Sequence, residues 1–412
     1  MELTEEQQKI VQCFMRGENI FITGAGGTGK SEIIQYLATL KPVVITATTG
    51  CAAVRLGNGR TIHSWSGVGL GNRSLDSIVK KMNPMVKGEW RTTKTLIVDE
   101  VSMMSMKLFE LLNDLGKRVR QSSLPFGGMQ IIFLGDFYQL PPVGDREDPD
   151  SQAFCFESRE WNNVFNTQIE LTKVFRQTDE TYSKILLQIR KGIIKKSADQ
   201  ILRTRVGLTY EGAIIPTKLY PTKRRVDEIN QNSMDELEGE EHVFTMTSIM
   251  RLYGDMEMEY ENLKKTLLVD STLRLKVGAQ VMCVINIQNE KTLELCNGSQ
   301  GVVTGFSLGY PVVQFQNGVQ RTMCPHIWES ERMPNVGVSQ VPLILAWAIS
   351  IHKSQGATLD MAEVDIGSGI FECGQSYVAL SRVKSLNGLY LSSYNPGKIK
   401  INRKVKEFYD NI

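Results

Sequence analysis

Short uninterrupted apolar runs alternate with stretches of helical period along the first 170 residues. Thr4 and Gln7 stand at the spacing of a capping box, and Ile10, Val11 and Phe14 share one face of the helix that would follow. "NIFIT" (19–23) then reads as a buried strand, "KSEIIQYLATL" (30–40) as a helix and "KPVVITAT" (41–48) as a second strand. Strand, glycine loop, helix and strand in that order make a βαβ unit, which predicts a parallel sheet covered on both faces. "TKTLIVDE" (93–100) and "GGMQIIFLGD" (127–136) add two buried strands. Between them a helix over Met106–Arg120 places Leu108, Leu111, Leu112, Leu115 and Val119 on one side.

Arg60–Lys87, around "HSWSGVGLGNRS", is too polar for a core layer and predicts a small excursion from the sheet. A second α/β pattern begins near Gln168, where "IELTKVFRQ" leads into a helix through Ile185 and Ile189, followed by the strand and helix of "TKLYPTKRRVDEINQNSM". Between Leu273 and Pro334 the texture turns all-β, with short strands punctuated by Gly and Asn, and a small inserted barrel is expected. The chain then re-enters α/β at "VPLILAWAISIHKSQGATLD" and ends with a strand and a basic helix. The expected division is 1–170 and 171–412, with the excursion at about 60–87 and the barrel at about 273–338.

A chain of 412 residues, 42% of them hydrophobic, suits more than one core. Forty-seven basic against 45 acidic residues give a net charge of +2, so a polyanionic partner needs a local groove. The seven cysteines form no C-x-x-C pair, which argues against a disulfide framework or a zinc site. "MELTEEQQKI" is no secretory signal, and no run reaches the about 18 apolar residues of a membrane span. An intracellular protein without membrane partners is expected, in the cytoplasm of a bacterium or virus-infected cell or in a nucleus.

Gly24–Ser31, "GAGGTGKS", fits both G-x-G-x-x-G and G-x-x-x-x-G-K-[ST]. A dinucleotide site needs an acid about 20 residues beyond the glycines. The second strand here runs into "ITATTGCAA", which has none. The triphosphate reading uses every polar residue. Loop N–H groups of Gly24, Gly26, Gly27, Thr28 and Gly29 surround phosphates, Lys30 reaches the outer ones and Ser31 ligates Mg²⁺. "LIVDE" supplies Asp99 for the metal, directly or through water, and Glu100 to orient and deprotonate the attacking water. A second lobe sensing the nucleotide should bring an arginine, for which Arg176 in "VFRQ" and Arg382 in "ALSRV" are the candidates.

Together these blocks resemble the petite-integration-frequency (PIF) DNA helicases, RecD-like members of the 5′-to-3′ branch of helicase superfamily one. "LTEEQ" matches the Q motif, "GAGGTGKS" and "LIVDEVSM" motifs I and II, and "GDFYQLPPV" motif III. "DLGKRVRQSSLPFGG" (114–128) is similar to the segment that separates this family from other RecD-like proteins. "LTKVFRQ", "AWAISIHKSQGATLD" and "GQSYVALSRVKS" match motifs IV, V and VI. The resemblance implies two RecA-like domains, a wedge insertion in the first and an SH3-like barrel in the second. It assigns adenine recognition to Gln7 and coupling of γ-phosphate status to Gln139. Arg176 becomes the motif IV arginine, Gln355 and Arg382 approach the γ-phosphate, and Gly356 is counted with Gln355 among the nucleotide-binding residues.

A motor on single-stranded DNA needs hydroxyl and cationic donors along a groove, with an aromatic group to stack on bases. Thr48, Thr49, His63, Ser64 and Trp65 offer these in one lobe, and His352, Lys353 and Ser354 in the other. The two histidines also suit purely structural roles. The expected activity is ATP- and Mg²⁺-dependent 5′-to-3′ translocation on single-stranded DNA with unwinding of tailed duplex, by a monomer. The alternatives are an RNA-directed or non-unwinding translocase, and a nucleic-acid-binding module with an inactive pocket.

Overall fold

The capping box closes at the head of the first helix, α1 (Glu5–Met15): the Thr4 hydroxyl accepts from the Gln7 N–H, and the Gln7 amide oxygen accepts from the Thr4 N–H. This computed structural model describes residues 3–56, 60–69, 74–145, 147–177, 179–210, 215–289, 292–295, 297–330, 333 and 336–412. Cys296, positions 70–73 of the excursion and parts of the 273–338 region lie outside them. The chain divides into unit 1, Met1–Arg176 with Arg190–Gly192 and Lys400–Ile412, and unit 2, Gln177–Ile189 with Ile193–Ile399.

Unit 1 is built on a six-stranded sheet of β1 (Ile20–Gly24), β2 (Val44–Ala47), β3 (Arg60–Thr61), β4 (Thr95–Asp99), β5 (Gln130–Gly135) and β6 (Thr167–Leu171). Their order is β3-β2-β4-β5-β1-β6, and every pairing is parallel. Successive side chains of a strand point to opposite faces, so a sheet covered on both sides needs apolar residues at every position. Ile20, Ile22, Ile97, Ile132 and Leu134 accordingly join one core with Ile10 and Phe14 of α1 and Ile33, Ile34 and Leu37 of α2 (Lys30–Leu40). Phe21, Leu96, Val98, Ile131 and Phe133 join the other. Register pairs Thr23 with Gly135, Gly24 with Leu171 and Ala47 with Asp99. The carboxyl ends of these strands therefore share one edge, where open parallel sheets bind ligands.

Beyond β2 lies the short helix α3 (Gly50–Arg55). The 60–87 excursion is less polar inside than its composition suggests. It holds α4 (Ile62–Ser66) and α5 (Leu75–Lys81) and leads into α6 (Pro84–Thr92), with Ile62, Trp65, Ile78, Val86 and Trp90 buried. Trp65 and Trp90 meet at 4.6 Å, and the Trp90 indole N–H donates to the Ser66 carbonyl at 3.1 Å. The short apolar spacings are hidden among Gly, Ser and Asn, which is why the sequence pattern shows only an excursion.

Helix α7 (Met106–Arg120) buries Leu108, Leu112, Leu115 and Val119 as expected, and also Phe109, Asn113 and Gly116. The widened face is explained by residues 121–128, the part of the 114–128 segment beyond the helix, which folds back on it. Asn113 Oδ1 accepts from the Phe126 N–H at 2.8 Å, and a Cβ at Gly116 would lie 2.7 Å from the Phe126 backbone. Arg120 donates to the carbonyls of Gly127, Trp90, Arg91 and Thr93, tying this segment to the last turn of α6.

Unit 2 holds a parallel sheet of Ala348–Ser350, Thr217–Tyr220, Ala362–Ile366 and Leu389–Tyr394, in that order. The expected all-β region supplies four strands of an antiparallel sheet ordered Gln320–Thr322, Tyr310–Phe315, Gln300–Ser307, Gln280–Cys283 and Leu343–Leu345, the last of which lies beyond the expected bound and in the stretch expected to re-enter α/β. Leu275, Val281, Val303, Val313 and Phe315 lie in its core. Among the described residues its edge strands are not paired with each other, so barrel closure is not seen. No helix among the described residues is long and apolar enough to cross a membrane.

Candidate active site

The loop after β1 turns where only glycine fits. Gly24 has φ +149°, and a Cβ there would meet the Leu171 carbonyl at 2.6 Å and Thr28 Oγ1 at 2.8 Å. Gly29, at φ +84°, opens α2, so Lys30 and Ser31 stand in the first turn of a helix whose N-terminal N–H groups favour anions. Lys30 Nζ turns inward and donates to the carbonyls of Gly24 (2.7 Å) and Ala25 (3.0 Å). The Thr28 hydroxyl is used within the loop, donating to Ala25 O at 2.9 Å. Gln7 is buried against this turn: its Nε2 lies 3.5 Å from where a Gly29 Cβ would stand, next to the Phe175 ring at 3.6 Å. The N–H groups of Phe175 and Arg176 donate to Gly27 O at 2.8 and 3.3 Å, so the backbone of "VFRQ" clasps the glycine loop.

Three buried carboxylates converge on the lysine. Asp99 ends β4, and its Oδ1 accepts from the Glu100 N–H at 2.8 Å. Glu100 adopts the left-handed conformation (φ 55°, ψ 40°), which is strained for a residue with a side chain and recurs at functional sites. Asp136, fully buried, is bracketed by the Arg190 guanidinium, with Nε 3.1 Å from both carboxylate oxygens. Burial pushes the Lys30 ammonium pKa below the usual lysine value, while Asp136, Glu100 and Asp99 pull it back up.

Arg190 is set against Asp136, while the Asp99 and Glu100 carboxylates act on Lys30 from buried positions. Such a site suits a divalent cation. Asp99 and Ser31 are hard oxygen donors, and no cluster of three His, Cys, Asp or Glu forms a protein-only cage among the described residues. A magnesium ion held by one or two side chains and by phosphate oxygens fits that donor set. Gln139 points the same way: its N–H donates to Asp136 O at 2.8 Å, and its buried Oε1 has no hydrogen-bond partner among the described residues.

The expected DNA-contacting residues separate into two kinds. Thr48 donates its hydroxyl to Glu100 O at 2.6 Å and its N–H to Asp99 O at 3.1 Å, which ties it to the acids. Thr49 caps α3 by accepting from the Ala52 N–H. His63 and Ser64 lie half-buried on α4, and burial lowers the His63 pKa. Trp65, expected to offer a stacking face, is 0% exposed and belongs to the core, so it is not available to bases.

In unit 2, His352 and Lys353 are half-buried on the turn after Ala348–Ser350. Ser354 is fully buried with its hydroxyl on Ile351 O, so its role here is to form the turn rather than to offer a groove donor. Gln355 and Gly356 follow on the same turn, the glycine at φ +83°. Arg382 is 2% exposed, donating to Val378 O and Ser381 Oγ, and its carbonyl accepts from Leu359 N–H at 2.9 Å. Motifs V and VI are thereby joined within unit 2.

Sequence reasoning missed Asp136, Arg190, Phe175 and Tyr409. Asp136 and Phe175 sit inside motifs already singled out, where strand-end acidity and an aromatic beside the motif IV arginine were the available signals. Phe175 is 51% exposed at the loop, and Lys173 lies 5.2 Å from its ring. Arg190 and Tyr409 come from distant segments and carry no local signal.

A parallel sheet with a glycine loop ahead of α2, and with its acid-bearing strand β4 separated from β1 by β5, defines a RecA-like P-loop fold. Residues 2–200 match the family described as PIF1-like helicase, and 259–306 that described as DNA helicase Pif1, 2B domain. The human ATP-dependent DNA helicase PIF1 is 37% identical over 425 residues, covering 100% of this chain and 64% of the relative. The Saccharomyces cerevisiae helicase RRM3 is 33% identical, covering 100% of this chain and 68% of the relative. This chain thus spans a little under two thirds of the human protein's length. The crystal structure of Pif1 helicase from Candida albicans is similar with a TM-score of 0.79 at 35% identity, covering 100% of this chain and 99% of that one. That of Bacteroides Pif1 in complex with ADP-AlF4 gives 0.83 at 27% identity, covering 100% and 97%. The chain belongs to the PIF1-like helicase family.

Proposed function

We propose that this chain is an ATP-dependent DNA helicase that moves 5′ to 3′ along single-stranded DNA and unwinds tailed duplex, a single copy carrying the machinery. The observation that supports it most is the set of half-buried Lys30 with buried Asp99, Glu100 and Gln139 at one sheet edge, in a family whose curated relatives are named ATP-dependent DNA helicases. Units 1 and 2 are read as the two RecA-like domains, α4–α6 as the wedge, and the five-stranded region of unit 2 as the SH3-like insertion.

In this reading Gln7 reads the adenine edge, with its oxygen fixed by the capping box. Lys30 leaves the loop carbonyls for the outer phosphates, and the loop N–H groups hold the inner ones. Ser31 and Asp99 would hold a magnesium ion bound with the nucleotide, which would supply charge neutralisation at the phosphate oxygens. Glu100 orients water and accepts its proton, and Arg176, Gln355 and Arg382 offset charge developing on the γ-phosphoryl group. Gln139 reports the γ-phosphate to the DNA-holding residues, among which His63, Ser64, His352 and Lys353 remain the proposed donors.

Unwinding of matched 5′-tailed and 3′-tailed DNA and RNA duplexes, with and without ATP, tests the proposal. ATP-dependent opening of the 5′-tailed DNA substrate alone is the expected result. A preference for RNA or for 3′ tails, or ATP hydrolysis that single-stranded DNA does not stimulate, would overturn it.

A further inference from the structure

Residues 400–412 return to unit 1, and the helix Arg403–Tyr409 ends on the nucleotide-sensing turn. Tyr409 Oη lies 2.6 Å from Thr23 Oγ1, accepts from the Phe137 N–H at 3.1 Å and stands 3.5 Å from Asp136 Oδ1. Thr23 precedes Gly24, whose carbonyl holds Lys30. Asp136 opens the turn that carries Gln139. One phenol therefore joins the root of the phosphate loop to the root of the motif III turn.

Its surroundings are equally specific. The Tyr409 ring stacks on Tyr138 at 4.6 Å and 12°, and the Arg190 guanidinium lies 4.9 Å from the Tyr138 ring and 5.3 Å from the Tyr409 ring. Arg190 is bonded in turn to Asp136 and Glu170. Arg190–Gly192 and Lys400–Ile412 are the two segments that unit 1 takes from beyond residue 176, and both reach Asp136.

We infer that Tyr409 is a positioning residue that holds the Asp136–Gln139 turn in register with the phosphate loop, so that nucleotide state is transmitted to the grip on single-stranded DNA. The inference rests on the helicase reading above. Docking of the helix does not itself need the hydroxyl, because Phe408 packs on Phe21, Phe137, Phe156 and Trp161. Burial, with the nearby Asp136 charge, raises the phenol pKa well above its ordinary value, so the group stays protonated. With Phe137 N–H occupying an acceptor site, its proton is directed to Thr23 or Asp136. Replacement by Phe keeps the ring and strands a buried N–H, which loosens this turn first.

The test compares wild type, Tyr409→Phe and Phe408→Leu. Binding of labelled oligothymidine is measured by fluorescence anisotropy without nucleotide and with ADP and aluminium fluoride, beside ATPase kcat and KM at saturating oligothymidine. In wild type the two conditions give different DNA affinities. In Tyr409→Phe their ratio collapses to within about 2-fold of unity and kcat falls ~10-fold, while KM for ATP moves less than about 2-fold. Phe408→Leu lowers Tm yet keeps the affinity ratio. An unchanged ratio and kcat in Tyr409→Phe, or an equal collapse in Phe408→Leu, overturns the inference. A wild-type protein whose ATPase ignores oligothymidine overturns instead the helicase reading on which it rests.

Discussion

The Thr48 hydroxyl donates to the Glu100 carbonyl at 2.6 Å, which fixes the backbone of the residue proposed to activate water. Glu100 occupies a left-handed conformation that costs about 1–3 kcal/mol, and it persists because its surroundings hold it. Thr48→Val removes that hydrogen bond at nearly constant shape. ATPase kcat is expected to fall ~10-fold with single-stranded DNA affinity within about 3-fold of wild type, and Thr48→Ser to restore activity. A loss of DNA affinity at unchanged kcat would show Thr48 to be a backbone contact and sink this account.

Trp65 packs on Trp90 inside the excursion, so its replacement should act on folding rather than on DNA. Trp65→Phe is expected to lower Tm by several degrees, and Trp65→Ala to cost about 3–5 kcal/mol in denaturant unfolding. Oligothymidine affinity of the Phe variant should stay within about 2-fold of wild type. A selective loss of affinity at unchanged Tm would restore the base-stacking role.

Gly116 touches the Phe126 backbone where a methyl group has no room. Gly116→Ala should destabilise by at least about 1–3 kcal/mol, because neither α7 nor the left-handed Phe126–Gly127 turn can retreat without breaking the Asn113 and Arg120 hydrogen bonds. Urea unfolding checks this, and a variant as stable as wild type would mean that residues 121–128 are not locked to α7.

Burial holds the imidazoles of His63, His326 and His352 below their ordinary pKa of 6.5. As pH falls below about 6.5 the unfolded chain takes up protons before the folded one does. The stability these groups contribute is therefore complete above that value and lost as pH drops through their lower folded-state values. Melting temperature should decline between pH 7 and 5, and more shallowly in His63→Asn. An identical slope in the two proteins would exclude a contribution from His63.

Much of unit 1 was legible because its physics is local. The apolar runs of β1, β4 and β5 and the cap of α1 are properties of a few adjacent residues; Asp99 and Glu100 stand at the strand end that one such run defines, and Lys30 opens the helix that follows the glycine loop after another. Trp65 was misread because a tryptophan beside His63 and Ser64 looks like a stacking group until Trp90, 25 residues later, is found against it. The buried state of Ser354, the Arg190–Asp136 pair and the landing of Tyr409 on Thr23 arise from tertiary packing and leave no periodic trace. The Arg60–Glu89 pair, at 2.7 Å, is likewise a tertiary contact.

The membership of residues 400–412 in unit 1 also sets an order on biosynthesis. Phe408 and Tyr409 lean on Phe21, Phe137 and Tyr138, so the aromatic side of the first core stays unfinished while more than two hundred later residues are being made. A nascent chain ordinarily completes its first domain before the next has emerged. Here the helix Arg403–Tyr409 must leave the ribosome before the aromatic side of unit 1 can close over Phe21 and Phe137.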